Sequence, residues 1–125
     1  MALSIGMVTV DSADPRPLAE WWARRLGGTV VDESDGWFLE VVPAPGSSAP
    51  VLGFQRVEDP TPGKNRLHLD LATTDRDADV AALVAQGATF VAEHTMPGYR
   101  WAVLADPQGN QFCVGAADAA ATALT

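Results

Sequence analysis

A single cysteine in 125 residues leaves the chain no intrachain disulfide, so its fold must rest on a packed core. That usage suits a reducing cytoplasm, the compartment expected here. Basic residues are also few: eight Lys and Arg, scattered along the chain, stand against sixteen Asp and Glu, for a formal charge of −8. Phosphate backbones and anionic lipid surfaces need clustered cations, so neither nucleic acid nor a membrane is expected as a partner. No apolar run approaches the ~20 residues that span a bilayer. The first residues lack the basic patch, apolar stretch and small-residue site of a signal peptide. Also missing are G-x-G-x-x-G, a P-loop, G-x-S-x-G, H-E-x-x-H and C-x-x-C, which removes the usual local signatures of nucleotide, serine-hydrolase, zinc-protease and dithiol chemistry.

What is present is a core and a repeat. The apolar fraction is 47% with four Trp, enough for one compact domain over residues 1–125. The segment Gly6-Met7-Val8-Thr9-Val10-Asp11, with Asp14 and then Gly27-Gly28-Thr29-Val30-Val31, is echoed by Arg66-Leu67-His68-Leu69-Asp70-Leu71, Asp75 and Gly87-Ala88-Thr89-Phe90-Val91. One constant offset pairs Met7 with His68, Asp14 with Asp75 and Val30 with Val91. Each copy is too small to bury its own sheet face, so the two are expected to share a concave surface.

Local signals divide each copy in the same way. Residues 3–11 alternate as a strand. Asp14 with Pro15 opens a helix whose Leu18, Trp21, Trp22 and Leu26 share one face, and Gly27-Gly28 ends it. Trp22 is expected in the core and Trp21 in the core or a dimer contact. Residues 29–32 and 37–42 form strands around Ser34-Asp35-Gly36, and the Pro-rich stretch 43–50 is a loop before a strand over 51–57. This first module spans about 3–58. In the second, about 66–115, the spacing predicts a strand over 67–72 and a helix from Asp75 to about Gln86 with Val80, Leu83 and Val84 buried. Strands over 89–93 and 100–105 flank Pro97-Gly98. The turn Asp106-Pro107-Gln108-Gly109-Asn110 then leads to a last strand over 111–115. Residues 116–125 are expected to fray. The order is βαβββ twice, an α+β class.

The segments Phe54-Gln55-Arg56-Val57, Pro62-Gly63-Lys64-Asn65-Arg66-Leu67-His68-Leu69-Asp70-Leu71 and Trp101-Ala102-Val103-Leu104-Ala105-Asp106-Pro107-Gln108-Gly109-Asn110-Gln111-Phe112-Cys113 carry a resemblance. From about residue 4 to 115 the chain resembles the vicinal oxygen chelate superfamily, in its glyoxalase-like branch, which includes bleomycin resistance proteins and dioxygenases. That resemblance implies a glyoxalase-like fold in which two tandem βαβββ modules form an open cupped sheet, often completed by homodimerisation. Metal-using members place a Glu or His on the first and fourth strands of each module. Matching Phe54 to Phe112 puts Met7, Gln55, His68 and Cys113 at those four places, with no carboxylate among them.

The donor chemistry weighs against the family's usual metal. Only His68 and Cys113 are ordinary ligands; Gln55 is a weak neutral donor and the Met7 thioether favours soft metals. Asp70, two residues beyond His68 on the same strand face and roughly 7 Å away, could add a third ligand or act as a base. No cofactor is therefore favoured, and a divalent metal would use His68, Cys113, and Asp70 or Gln55. Cys113 between Phe112 and Val114 reads as an inert thiol, with nothing cationic near it in sequence. Trp37, Tyr99 and Trp101 lie on or beside the third strands, where they serve either ordinary sheet packing or an aromatic wall that would suit a flat or cationic ligand. Trp101 and Val103 share a face with Gln111 and Cys113. His94 is expected near a turn in solvent, and Lys64 and Arg66 flank the cup.

The favoured function is small-molecule binding through Met7, Gln55, His68, Trp101 and Cys113, without the family's full metal site; sequestration of an antibiotic or metabolite fits. The alternatives are an enzyme, either metal-dependent or using His68 and Asp70 as acid and base, and an accessory domain that binds another protein.

Overall fold

A computed structural model describes residues 5–116. Two compact units follow one another in the chain, Met1–Thr61 and Pro62–Thr125. Of the tail expected to fray, Ala116 instead ends the last strand, and residues 117–125 lie outside the described ones. Among the described residues no helix is long and apolar enough to cross a membrane.

The first unit is β1 (Met7–Ser12), α1 (Pro15–Leu26), β2 (Thr29–Asp32), β3 (Phe38–Val42) and β4 (Val51–Arg56), with sheet order β1-β4-β3-β2. The β1–β4 pair is parallel and the others antiparallel. Pro15 starts α1 because its missing N–H is one the first turn does not need. Gly27 ends the helix in the left-handed region at φ 69°, as the sequence predicts. The helix packs on its own sheet: Leu18, Ala19, Trp21 and Trp22 are buried against a layer that includes Leu39, Val41, Leu52 and Phe54. The Trp21 and Trp22 rings meet edge to face at 5.1 Å. Asp32 closes the β2–β3 turn, its carboxylate accepting from the Ser34 and Gly36 N–H groups at 3.1 Å each.

The second unit repeats the plan with β5 (Asp70–Thr73), α2 (Arg76–Ala85), β6 (Thr89–Met96), β7 (Tyr99–Ala105) and β8 (Gln111–Ala116), in sheet order β5-β8-β7-β6. Asp75 caps α2 by accepting from the Ala78 N–H at 3.2 Å. Asp106 anchors the β7–β8 turn: its carboxylate accepts from the Gln108 and Asn110 N–H groups at 2.9 and 3.0 Å, and Gly109 takes φ 90°. The expected burial of the α2 stripe is not met. No α2 residue is buried; Val80 and Leu83 are half-buried and Val84 is exposed. The rest of this helix is Arg76, Asp77, Asp79 and short Ala side chains, so it carries none of the aromatic bulk that lets α1 seal its sheet.

Two further expectations are corrected. The strand read over 67–72 begins only at Asp70, leaving His68 outside the ladder. Register also overrules the match of Phe54 with Phe112. Thr9 pairs with Gly53 on β4, and Asp70 pairs with Cys113 on β8. With the first strands aligned as the repeat requires, Gly53 is the counterpart of Cys113, Phe54 of Val114 and Gln55 of Gly115.

Candidate functional site

Side chains alternate across a sheet, so the ladders decide which residues share a face. In the second unit one face carries Leu71, Ala102, Leu104, Phe112 and Val114, the apolar layer on the α2 side. The other carries Asp70, Cys113 and Gly115, with Trp101, Val103 and His94 paired alongside. This second face holds the chemistry.

Its polar corner is made by a peeled strand. The Asn65 side-chain carbonyl accepts from the Gln111 N–H at 3.0 Å, and its amide reaches the Gln111 carbonyl at 3.4 Å and that of Leu67. One side chain thus stands in for the backbone partner that β5 would give the start of β8. The Leu69 carbonyl takes the Cys113 N–H at 2.9 Å, and the ladder resumes at Asp70. Because segment 66–69 leaves the sheet, the His68 ring turns back onto Asp70, with Nε2 to Oδ1 3.4 Å instead of the strand spacing expected. Cys113 completes the group: one donor atom from each of His68, Asp70 and Cys113 lies within 4.8 Å of the others. His68 and Asp70 are exposed and Cys113 is half-buried. Burial, then the Asp70 charge and the hydrogen bond the thiol donates to it, push the Cys113 thiol up to about 11; Lys64 pulls the other way.

Beside this corner runs an aromatic row. Tyr99 and Trp101 stack at 5.4 Å with 19° between planes, and the His94 ring lies 5.4 Å from that of Trp101, tilted by 31°. His94 is exposed and near a turn, as expected, but it is also part of β6, directly opposite Trp101. The two-residue Pro97-Gly98 turn sets that pairing, and could have shown it from sequence. Burial first, and then the charges of Asp70 and Cys113, raise the Tyr99 phenol, which stays a hydrogen-bond donor at neutral pH. Trp37 belongs to no such row. It precedes β3 in the first unit, 59% exposed, under the Arg56 guanidinium at 5.0 Å.

The first unit's corresponding corner is filled differently. Met7, Thr9 and Gly53 occupy the places of His68, Asp70 and Cys113. A Cβ on Gly53 would lie 2.7 Å from the Met7 sulfur and 3.0 Å from the Thr9 hydroxyl, so these side chains close directly over the bare backbone. Gln55 is exposed one pair further along, beside Asp11. Met7 and Gln55 therefore share one face of their own sheet but bring no anionic donor to it.

A shallow groove of about 390 Å³ opens at the turn end of β6 and β7, lined by Arg76, Thr95, Met96, Tyr99, Arg100 and Ala116. Its two arginines are already engaged: Arg76 with Asp77 and Glu93 at 2.6 Å each, and Arg100 with the same acids at 3.0 and 3.2 Å. That closed ring leaves little field for a charged ligand, and of the aromatic row only Tyr99 reaches the groove.

Two tandem βαβββ units of this topology match the glyoxalase-like domain model over residues 7–115. The chain belongs to the glyoxalase-like domain family. Solved structures place the family within the vicinal oxygen chelate superfamily. A member of the glyoxalase/bleomycin resistance protein/dioxygenase superfamily from Sphaerobacter thermophilus is 25% identical with a TM-score of 0.70, covering 92% of this chain and 98% of that one. An antibiotic binding protein from a Streptomyces strain is 26% identical with a TM-score of 0.68, covering 94% and 98%. An oxidase, ChaP-H2, is 20% identical with a TM-score of 0.63, covering 93% and 94%, and shows the fold alone. No curated protein matches. Binding proteins and an enzyme thus share this glyoxalase-like fold, and the residues must decide between them.

Proposed function

We propose that this glyoxalase-like protein binds a flat, partly apolar small molecule, an aromatic antibiotic or metabolite, on the aromatic face of its second unit. The observation that carries the reading is the shared face: His94, Trp101 and Tyr99 form a stacking surface beside His68, Asp70 and Cys113. Contact with the exposed parts of these rings supplies area at little entropy cost, and His68 anchors one polar group of the ligand. The acidic balance of the chain and the Asp70 carboxylate favour a cationic or neutral ligand over an anion. Likeness to an antibiotic binding protein at 26% identity supports the same class. In the first unit Met7 and Gln55 are the proposed ligand contacts. A cytoplasmic homodimer is the proposed setting, to be checked by light scattering.

The test is a thermal-shift and tryptophan-fluorescence screen of aromatic antibiotics and metabolites. A compound at a hundred times its Kd stabilises by about 2.7 kcal/mol. The shift should vanish in Trp101→Ala and shrink in His68→Ala. A rise in melting temperature that survives both variants, or none across the panel, overturns the reading.

A second reading rests on the 3.4 Å approach of His68 to Asp70, an acid–base pair within reach of a stacked substrate. Under it, bound compounds are consumed, and turnover is lost in both His68→Ala and Asp70→Ala.

A further inference from the structure

We infer that Glu40 holds the ammonium group of a small organic amine on the first unit's own sheet, at the face turned away from α1. This goes beyond the function proposed for the second unit's aromatic face and does not rest on it. Leu39 and Val41 of β3 are buried on the α1 side, so the half-buried Phe38, Glu40 and Val42 take the opposite face. There Glu40 stands directly across from Gly53 on β4 and Val31 on β2. Among the described residues no hydrogen bond or ion pair reaches its carboxylate. The strand positions of this face hold no Lys, Arg or His, while Arg16 is spent on Asp32 and Arg56 lies over Trp37.

The surroundings of that charge are apolar. A Cβ on Gly53 would lie 2.7 Å from the tip of the Phe38 ring, so the ring reaches across the bare backbone there. Cβ positions facing each other across a ladder are only about 4.5–5.5 Å apart, so the same ring borders Glu40. Val31 lies opposite and Val42 two residues along the strand. Packing gives no reason for a carboxylate here, because an unneutralised charge among apolar groups costs stability. The repeat shows what packing alone selects: the corresponding place on β7, opposite Cys113, is taken by the buried Val103. An occupant must therefore supply the missing cation. A carboxylate takes ammonium N–H groups in charge-assisted hydrogen bonds, and the Phe38 ring with the two valines receives the attached hydrocarbon. A hard metal ion is poorly served, since it asks for several oxygen donors. Anions are repelled by Glu40 itself.

The experiment follows backbone amide resonances of the whole chain during titration with phenethylammonium. Phenethyl alcohol serves as the neutral analogue and phenylacetate as the anionic one. The amine should shift the amides of Val31, Glu40 and Gly53 and bind at least about tenfold more tightly than the alcohol, with phenylacetate inert. Glu40→Gln keeps the shape and removes the charge, so it should weaken the amine by about tenfold or more and leave the alcohol unaffected. The same variant should melt at or above the parent's temperature, because the fold gains nothing from the unpaired carboxylate. Glu33→Gln, which removes a charge from the exposed β2–β3 turn, should bind the amine as the parent does. Shifts confined to the second unit around Asp70 and Trp101, equal affinity for amine and alcohol, or no binding of the amine overturns the assignment. So does binding that survives Glu40→Gln, or a fall in that variant's melting temperature, which would mark the carboxylate as a structural partner.

Discussion

The Tyr99 ring crosses β8 directly over Gly115, so close that a Cβ there would lie 1.9 Å from the phenol oxygen and 2.8 Å from the carbon bearing it. Gly115 is thus the floor that lets Tyr99 lie flat against Trp101. Gly115→Ala should lift the ring, disrupt the stack and cost roughly 1–2 kcal/mol. Urea unfolding gives the cost, and the near-ultraviolet dichroism of the aromatic row reports the displacement. An unchanged spectrum would show that the ring has another place to lie.

Cys113 should be a slow nucleophile. With its thiol at about 11 against an ordinary 9.0, it carries about a hundredfold less thiolate at pH 8 than a free cysteine. Alkylation by iodoacetamide should be slower by a similar factor and should accelerate in Asp70→Asn, which removes the charge opposing ionisation. Rates at free-cysteine level in the parent protein would refute this.

Asn65 should matter for stability well beyond its exposure. Asn65→Ala leaves the Gln111 N–H and C=O without the side chain that satisfies them, at a cost of roughly 1–3 kcal/mol. Hydrogen exchange at Gln111 should rise in the variant while that at Leu104, deep in β7, stays slow. Protection at Gln111 equal to the parent's would mean that the backbone re-forms the pair unaided.

Asp32 gives an acid-side prediction. The N–H groups of Gly36 and Ser34 hold its carboxyl below the ordinary 3.8, and burial opposes them while Arg16 assists. A carboxyl depressed in the fold contributes stability that is present in full above its unfolded value and lost as pH falls through its folded one. Asp32→Asn should therefore destabilise the protein at neutral pH and flatten the decline of melting temperature below about pH 4. Parallel melting curves for the two proteins across that range would contradict it.

The helices should respond unequally to truncation. Trp22 is 3% exposed beneath α1, so Trp22→Ala should cost about 3–5 kcal/mol. Val84 on α2 is 43% exposed, and Val84→Ala should fall within about 0.5 kcal/mol of the parent.

Much of this was written in residues that punctuate. Pro15, Gly27, Ser34-Asp35-Gly36 and the Asp106 turn each impose one backbone geometry on their neighbours, so the βαβββ order could be read twice. Harder to read were contacts that depend on a ladder closing. Asn65 resembles any loop asparagine until Gln111 is placed beside it, and only then does His68 leave the strand and meet Asp70. Likewise the two phenylalanines Phe54 and Phe112 invite alignment by identity, whereas the hydrogen-bonded register aligns Phe54 with Val114. The pairing of His94 had a legible signal in the two-residue turn that follows it, which sets Met96 against Tyr99 and so His94 against Trp101.

The unlike corners of the two sheets carry an evolutionary and practical consequence. Having been copied, the scaffold needs only one half to keep reactive groups, and the other is free to trade them for filler. The blank half is accordingly a template: Met7→His, Thr9→Asp and Gly53→Cys together would write the second unit's trio into the first, giving one chain two matching corners to compare.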